Sequence, residues 1–357
     1  MQFITFMAVN KSYNIHFSSK TQLLLDSKFE DYVKLQHEKG TNVCYFIDKN
    51  VWEAHPSKFL NIEKLIMIEG NESSKNFSNI EKYIQQLIDL NLDKKSLLIG
   101  VGGGIVSDIV GFLGSCYKRG IPFGFFPTTV LSSVDAAVGG KNGFNFGAIK
   151  NVIGTITQPE FIAYDTSFLK SLKKEDYYDG FAEIIKYGCI ADPSILELLE
   201  YNGFEHESFQ ETELLELFEK CIAIKCDIIE QDPFDGGLRK ILNFGHTLGH
   251  AIESEYGISH GKAVSIGMEF ASFVSGKTNH DSAYSQKIKL LLNQYYLPTS
   301  FPFDIEKMMQ KISHDKKKHA DSIDFILLEK LGKATIQPLS SEELKSLLIE
   351  FSDAKND

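Results

Sequence analysis

SLLIGVGGGIVSDIVGFLGSC, residues 96–116, is the segment from which the rest of the chain can be read. Ser96–Val101 is a short apolar run without polar alternation, the pattern of a strand buried on both faces. Gly102-Gly103-Gly104 follows at once, and Ile105–Cys116 has helical character. Backbone without side chains at a helix N-terminus lets N–H groups approach a diphosphate, and the helix dipole favours negative charge there. The loop is not G-x-G-x-x-G, and glycines also serve tight strand–helix turns. On its own it leaves nucleotide binding and a plain turn both open.

Similar runs flank this unit. Val43–Asp48, Lys64–Glu69, Phe123–Phe126 and Phe161–Asp165 read as strands, and Asn76–Leu92 carries the 3.6-residue spacing of a crossover helix. From about Lys173 helical periodicity takes over, in Tyr177–Ile190, Glu211–Glu230, Arg239–Tyr256 and Lys262–Gly276, with one late strand at Asp324–Glu329. The expected architecture is α/β followed by α: a parallel-sheet domain over residues 1–170 and a mostly helical domain over 171–357, with a small-molecule site in the cleft between them.

Composition narrows the function. Hydrophobic residues make up 43% of the 357, enough for a core, so disorder is not the main state. Lys and Arg total 37 against 48 Asp and Glu; the net charge of −11 argues against nucleic-acid and anionic-membrane surfaces, which need a basic field. No apolar stretch is long enough for a transmembrane helix, and the start, MQFITFMAVNKSY, lacks the basic region of a signal peptide. Five scattered cysteines make neither a disulfide framework nor a zinc-thiolate site. A reduced, cytoplasmic protein is expected.

Three groups of residues can carry chemistry. His246 and His250 stand at i and i+4 in NFGHTLGHAIE and share a helix face; His260 follows in a loop, ISHG. An open catalytic zinc site takes three N or O ligands, and Glu183 in GFAEIIKYG could be the third. A structural histidine pair, and a Glu183–Lys186 ion pair, are the competing readings. Pro127-Thr128-Thr129, Asp135, Gly139-Gly140-Lys141 and Lys150-Asn151 combine amines, amides and flexible backbone suited to a phosphate, although ordinary surface loops share that composition.

Taken together the motifs resemble the dehydroquinate synthase family, the sugar-phosphate cyclases. In order they read D-x-N-V at Asp48–Val51, E-x-x-K at Glu72–Lys75, GGGIVSD at Gly102–Asp108 and YKRG at Tyr117–Gly120. PTTVLSSVDAAVGGK at Pro127–Lys141, KNVIG at Lys150–Gly154 and AEIIKYG at Ala182–Gly188 follow. LRKILNFGHTLGHAIE at Leu238–Glu253, His260-Gly261 and DKK at Asp315–Lys317 complete the set.

The resemblance implies a Rossmann-like N-terminal domain, a helical C-terminal domain and a homodimer. It implies NAD, held by Asp48, Asn50, Glu72, Lys75, Gly103, Gly104, Asp108, Thr128, Thr129, Asp135 and Lys150. It also implies Zn²⁺ or Co²⁺ on Glu183, His246 and His260, which moves His250 from the metal to the substrate phosphate. Lys141, Asn151, Lys316 or Lys317, and Arg119 from across the dimer would join His250 there. Lys225 and Arg239 would clamp a carboxylate, and Lys186 and Asn243 would contact the reacting hydroxyls. The implied reaction closes a seven-carbon sugar acid phosphate, 3-deoxy-D-arabino-heptulosonate 7-phosphate, into 3-dehydroquinate with loss of phosphate, in the shikimate pathway. NAD⁺ takes a hydride and NADH returns it, so the cofactor is retained.

Relatives that cyclise neutral sugar phosphates have no carboxylate to bind and are expected to lose the residues at Arg239 and Asn243; this sequence keeps both. It departs from the family pattern at Asn142 (commonly Thr), Ile149 (commonly Gly) and Lys262 (commonly Glu). The first two are expected near the substrate phosphate, where they could mark altered specificity.

Overall fold

The structure is a computed structural model and describes residues 10–15, 19–147, 149–233, 236–279, 283–315 and 322–356. It divides into two compact units: Met1–Lys173 with Phe209–Glu230, and Lys174–Ser208 with Gln231–Asp357. This differs from a single division after residue 170, because the helix Glu211–Gln231 belongs almost entirely with the first unit.

The first unit is built on a seven-stranded sheet. Its strands are β1 (Asn10–Ile15), β2 (Ser19–Leu24), β3 (Val43–Asp48), β4 (Leu65–Ile68), β5 (Leu97–Gly102), β6 (Phe123–Pro127) and β9 (Phe161–Ala163), in the order β1-β2-β9-β6-β5-β3-β4. Every neighbouring pair from β2 to β4 is parallel; only β1 runs antiparallel. The five expected strands are present. Each is an uninterrupted apolar run because a parallel sheet covered on both faces leaves no polar side. β5 is buried at all six positions. At its end a Cβ on Gly102 would lie 2.4 Å from Val106, so the turn into the helix Gly104–Cys116 admits only glycine there.

A separate antiparallel hairpin, β7 (Lys141–Phe146) and β8 (Ile149–Ile156), was not legible as strands. Its Asn, Gly and Lys content reads as a loop, and most of β8 is exposed.

The second unit is mostly helical, with one hairpin of β10 (Ser322–Lys330) and β11 (Lys333–Ser340). Its helices include Phe181–Ile190, His246–Tyr256 and His260–Asn279. The expected helix Arg239–Tyr256 is two elements: a 3₁₀ turn, Leu238–Asn243, and the α-helix from His246, separated where Gly245 takes φ 81°. His260 opens a helix rather than sitting in a loop. All five cysteines are free thiols. No helix among the described residues is long and apolar enough to cross a membrane.

Packing in the first unit centres on Phe29, whose ring meets Phe126, Phe59, Tyr45 and Phe168 edge-on at 5.0–5.9 Å. Buried Asp165 ties this cluster down. It accepts hydrogen bonds from Phe29 N (3.1 Å), Ser167 N (3.2 Å), Ser167 Oγ (2.6 Å) and Lys58 Nζ (2.9 Å). Burial alone would raise this carboxyl, but the bonds from Lys58, Ser167 and Phe29 outweigh it and hold it below the ordinary carboxylate value. Its contribution is therefore complete above about pH 4 and is lost as pH falls through the lower folded value. Asp165→Ala should lower the unfolding free energy by about 1–3 kcal/mol at pH 7, since Phe29 N and Ser167 lose their acceptor while Lys58 keeps Glu30 at 2.9 Å. The difference from wild type in urea titrations should shrink as the pH is taken below about 4.

Candidate metal and active site

Glu183 is fully buried in the helix Phe181–Ile190, every residue of which is buried. Its Oε1 lies 3.3 Å from His246 Nε2 and 3.1 Å from His260 Nε2, and its Oε2 forms an ion pair with Lys186 Nζ, one turn on. The buried Lys186 ammonium also sits over the Tyr187 ring at 4.8 Å. Burial would raise the Glu183 carboxyl; the Lys186 ammonium and the two imidazoles reverse that and hold it well below its ordinary value.

Each imidazole is held from behind. His246 Nδ1 is 3.1 Å from Phe244 O, and a carbonyl only accepts, so Nδ1 carries a proton and Nε2 is the ring atom turned to Glu183. His260 Nδ1 is 3.1 Å from Glu253 Oε2. Burial would lower the His260 pKa, but hydrogen bonds to Glu183 and Glu253 raise it to about 10. The pocket therefore favours positive charge where one carboxylate and two imidazoles converge. Those three residues offer ligand atoms all within 4.8 Å of one another, a donor set that suits a divalent cation such as zinc. His250 is exposed one turn along the helix, its ring centroid 5.0 Å from that of His246 and 6.0 Å from that of His260.

The His246 and His260 helices touch backbone to backbone. A Cβ on Gly267 would lie 1.8 Å from Gly245 O, and one on Gly249 would lie 3.0 Å from Ala263 O. Asp179 fixes the start of the His260 helix: it accepts from Gly261 N (2.9 Å), Lys262 N (3.1 Å) and Ser259 Oγ (2.5 Å). Neither Asp179 nor Glu253 is given a role by the sequence, although Glu253 ends the motif Leu238–Glu253. Glu253 carries a visible signal, seven residues after His246 on one helix face. Asp179 carries none, because it caps a helix remote in sequence.

Arg239 is buried in the 3₁₀ turn, with its Nη1 donating to Pro233 O at 3.1 Å and its N–H to Asp232 Oδ2 at 3.0 Å. Asp232 also accepts from Gly236 N and Gly237 N, so it shapes the segment that carries Arg239. Asn243 ends the same turn and is exposed.

In the first unit the residues implied for NAD, Asp135 and Lys150 apart, fall into three groups. Asp48 caps its helix by accepting from Asn50 N at 2.8 Å. A Cβ on Gly103 would lie 3.2 Å from Thr129 Cγ2, and Thr128 N bonds to Gly102 O at 3.0 Å, so Gly103, Gly104, Thr128 and Thr129 form one turn around the helix start. Buried Lys75 reaches Asp108 Oδ2 (2.6 Å), Asn151 Oδ1 (2.5 Å) and Glu72 (3.7 Å). Asn145, unmarked in the sequence reading, joins this group by donating to Glu72 Oε1 at 2.7 Å. Burial outweighs the Lys75 charge and raises Asp108 to about 6. Lys225 donates to Asp135 O (2.6 Å) and Oδ1 (2.7 Å), joining a residue implied for substrate to one implied for NAD.

Lys141 and Lys150 are exposed on the hairpin. Arg119 is exposed and takes φ 66°, between Lys118 at 49° and Gly120 at 103°. Lys316 and Lys317 lie outside the described residues. Asn142 turns inward: its Nδ2 donates to Gly140 O (2.8 Å) and Thr157 O (3.0 Å), and its Oδ1 fills the space a Cβ on Gly111 would need. Its departure from the family pattern thus bears on how the hairpin is braced against the helix Gly104–Cys116.

Among the described residues four Lys or Arg side chains are buried, Lys75 and Lys225 in the first unit and Lys186 and Arg239 in the second, and the sequence resemblance gives each a binding role. Buried cations are costly unless paired, and they concentrate where chemistry needs them. The capping role of Asp179 is open to test. Asp179→Ala should cost about 1–3 kcal/mol in urea denaturation, as three donors lose their acceptor, with Asp179→Asn intermediate.

Comparison with known proteins agrees in both halves. Residues 65–179 match the family model for the 3-dehydroquinate synthase N-terminal region, and residues 180–318 match that for the C-terminal region. The chain is 36% identical over 361 residues to the 3-dehydroquinate synthase of Thermoanaerobacter pseudethanolicus, covering 98% of this chain and 100% of that one. It is 37% identical over 292 residues to that of Bacillus pumilus, covering 80% of each. In fold it is similar to 2-epi-5-epi-valiolone synthase from Streptomyces hygroscopicus, solved with NAD⁺ and Zn²⁺ (TM-score 0.84, 21% identity, 94% of this chain and 97% of that one). It is likewise similar to 2-deoxy-scyllo-inosose synthase, solved with carbaglucose-6-phosphate, NAD⁺ and Co²⁺ (TM-score 0.81, 21% identity, 96% and 99%). Two adjoining family matches and a relative aligned over its whole length lead to one conclusion: the chain belongs to the 3-dehydroquinate synthase family.

Proposed function

We propose that this protein is a 3-dehydroquinate synthase, a carbon–oxygen lyase that converts 3-deoxy-D-arabino-heptulosonate 7-phosphate to 3-dehydroquinate and phosphate in the shikimate pathway. The observation that carries the reading is the buried Arg239. Its guanidinium is desolvated, and such a group can grip a carboxylate through two parallel charge-assisted bonds. A neutral sugar phosphate has no carboxylate to offer it.

Glu183, His246 and His260 hold the divalent cation, Zn²⁺ or Co²⁺, and Asp48, Gly103, Gly104, Asp108, Thr128 and Thr129 belong to the NAD set. When bound, the ion polarises a substrate hydroxyl as a Lewis acid and NAD⁺ accepts and returns a hydride. The chain's own groups do the rest. Lys186, pinned by Glu183 and Tyr187, and Asn243 orient the reacting hydroxyls. His250, Lys141 and Asn151 hold the phosphate as its C–O bond breaks. The Gly103–Gly104 helix start offers N–H groups to a diphosphate.

A homodimer completes the proposal. Phe146, Ile149, Val152 and Ile156 on the hairpin, and Phe77 beside Phe146, are 45–60% exposed, a large apolar surface for one hairpin. Thr155 Oγ1 donates to Ser115 Oγ at 2.9 Å, which places this surface next to the segment carrying Arg119. A second copy covering the hairpin would receive that arginine.

Two outcomes are expected. Losing one member of a desolvated charge pair costs about 2–5 kcal/mol, so Arg239→Ala should lower kcat/KM for the heptulosonate phosphate by roughly 30- to several-thousand-fold. Sedoheptulose 7-phosphate should be the poorer substrate of wild type, and the mutation should leave any turnover of it nearly unchanged. Wild-type preference for the neutral substrate would replace this reading with that of another sugar-phosphate cyclase. In light scattering after size exclusion, wild type should have twice the mass of Ile149→Asp/Val152→Asp.

A further inference from the structure

Glu253 shares a face of the His246–Tyr256 helix with both histidines, three residues beyond His250 and seven beyond His246. Its Oε2 is 3.1 Å from His260 Nδ1, while His260 Nε2 is 3.1 Å from Glu183 Oε1. One imidazole is thus gripped at both ring nitrogens. We propose that Glu253 is a positioning residue for the metal: it keeps the single proton of a metal-bound His260 on Nδ1, fixes the ring's rotation, and makes Nε2 a stronger donor. The inference rests on the reading of Glu183, His246 and His260 as the ligands.

The chemistry is that of a ligand oriented from its far side. A carboxylate only accepts hydrogen bonds, so it selects the tautomer whose free lone pair is at Nε2. Its negative charge makes the imidazole more basic, as outer carboxylates do behind metal-bound histidines. His246 has a neutral backbone carbonyl, Phe244 O, in the same place. The two imidazoles are therefore unequal donors, and His260 is the stronger. A side chain can be replaced where a backbone carbonyl cannot, so this half of the arrangement is open to mutation.

The test uses the full chain, stripped with a chelator and reloaded with Co²⁺. Stoichiometry, affinity by competition with a chromophoric chelator, and the visible Co²⁺ spectrum are measured for wild type, Glu253→Gln, Glu253→Ala and His260→Ala, with circular dichroism confirming the fold of each. Wild type should bind one ion. Glu253→Gln, which keeps an acceptor but loses the charge, should weaken affinity by about 10-fold and shift the spectrum; Glu253→Ala, which loses both, should weaken it by up to about 100-fold. His260→Ala should lose the ion. Wild-type affinity and spectrum in both folded Glu253 variants would overturn the positioning role. So would two ions in wild type falling to one in the variants, which would make Glu253 a ligand of a second ion with His250 and His260. Undiminished binding in His260→Ala would overturn the ligand assignment itself, a result distinct from either.

Discussion

Everything in the second unit's polar pocket hangs on two helix backbones touching. Side chains normally keep helix axes 8–10 Å apart. Here Gly245, Gly249 and Gly267 remove them at the crossing, and the helices meet through main-chain atoms. That contact brings the His246 and His260 ring centroids to 5.4 Å and leaves room for one carboxylate against both. A methyl group at Gly267 would collide with Gly245 O and push apart the two donors. Asp179 then sets where the second helix begins, and so which turn of it faces Glu183.

The electrostatics of the pocket follow from that closeness. A fully buried carboxylate ought to resist ionisation, yet Glu183 is held ionised because an ammonium and two imidazoles surround it. Asp108 shows the opposite balance. It has one cation, Lys75, and burial wins. Among the described residues most cations of the acidic chain stay at the surface, but four are buried. Its net charge of −11 describes the surface and says little about the interior, where Lys75, Lys186, Lys225 and Arg239 are buried.

The parallel sheet was legible because each central strand is one apolar run between turns, and Ser96–Gly104 joined a buried strand to a helix through a turn that only glycine fits. The hairpin β7–β8 was not, since its strand character comes from pairing and not from composition. The spacing of His246 and His250 gave the helix face correctly, but spacing alone could not choose between His250 and His260. Which of them stands beside Glu183 and His246 depends on the crossing of two helices, which no local pattern encodes. The expected loop at His260 failed for the same reason: its helix is capped by Asp179, far earlier in the chain. Asn142 shows the limit of a motif departure as a signal, because its side chain bonds Gly140 O and Thr157 O and packs against Gly111 of a helix.

The helix Glu211–Gln231 has a consequence for the order of events on the ribosome. It buries Leu214, Leu217, Phe218, Cys221 and Ile222 and belongs almost entirely to the first unit, although residues 174–208 of the second precede it. The chain passes between the units three times, after residues 173, 208 and 230. The nascent first unit therefore cannot close when its sheet is complete. At about 5–20 residues per second it waits several seconds with an apolar face uncovered. During that interval Glu183 and Lys186 have emerged while His246 and His260 have not, so every segment of the first unit is made before the Glu183–His246–His260 cluster can assemble.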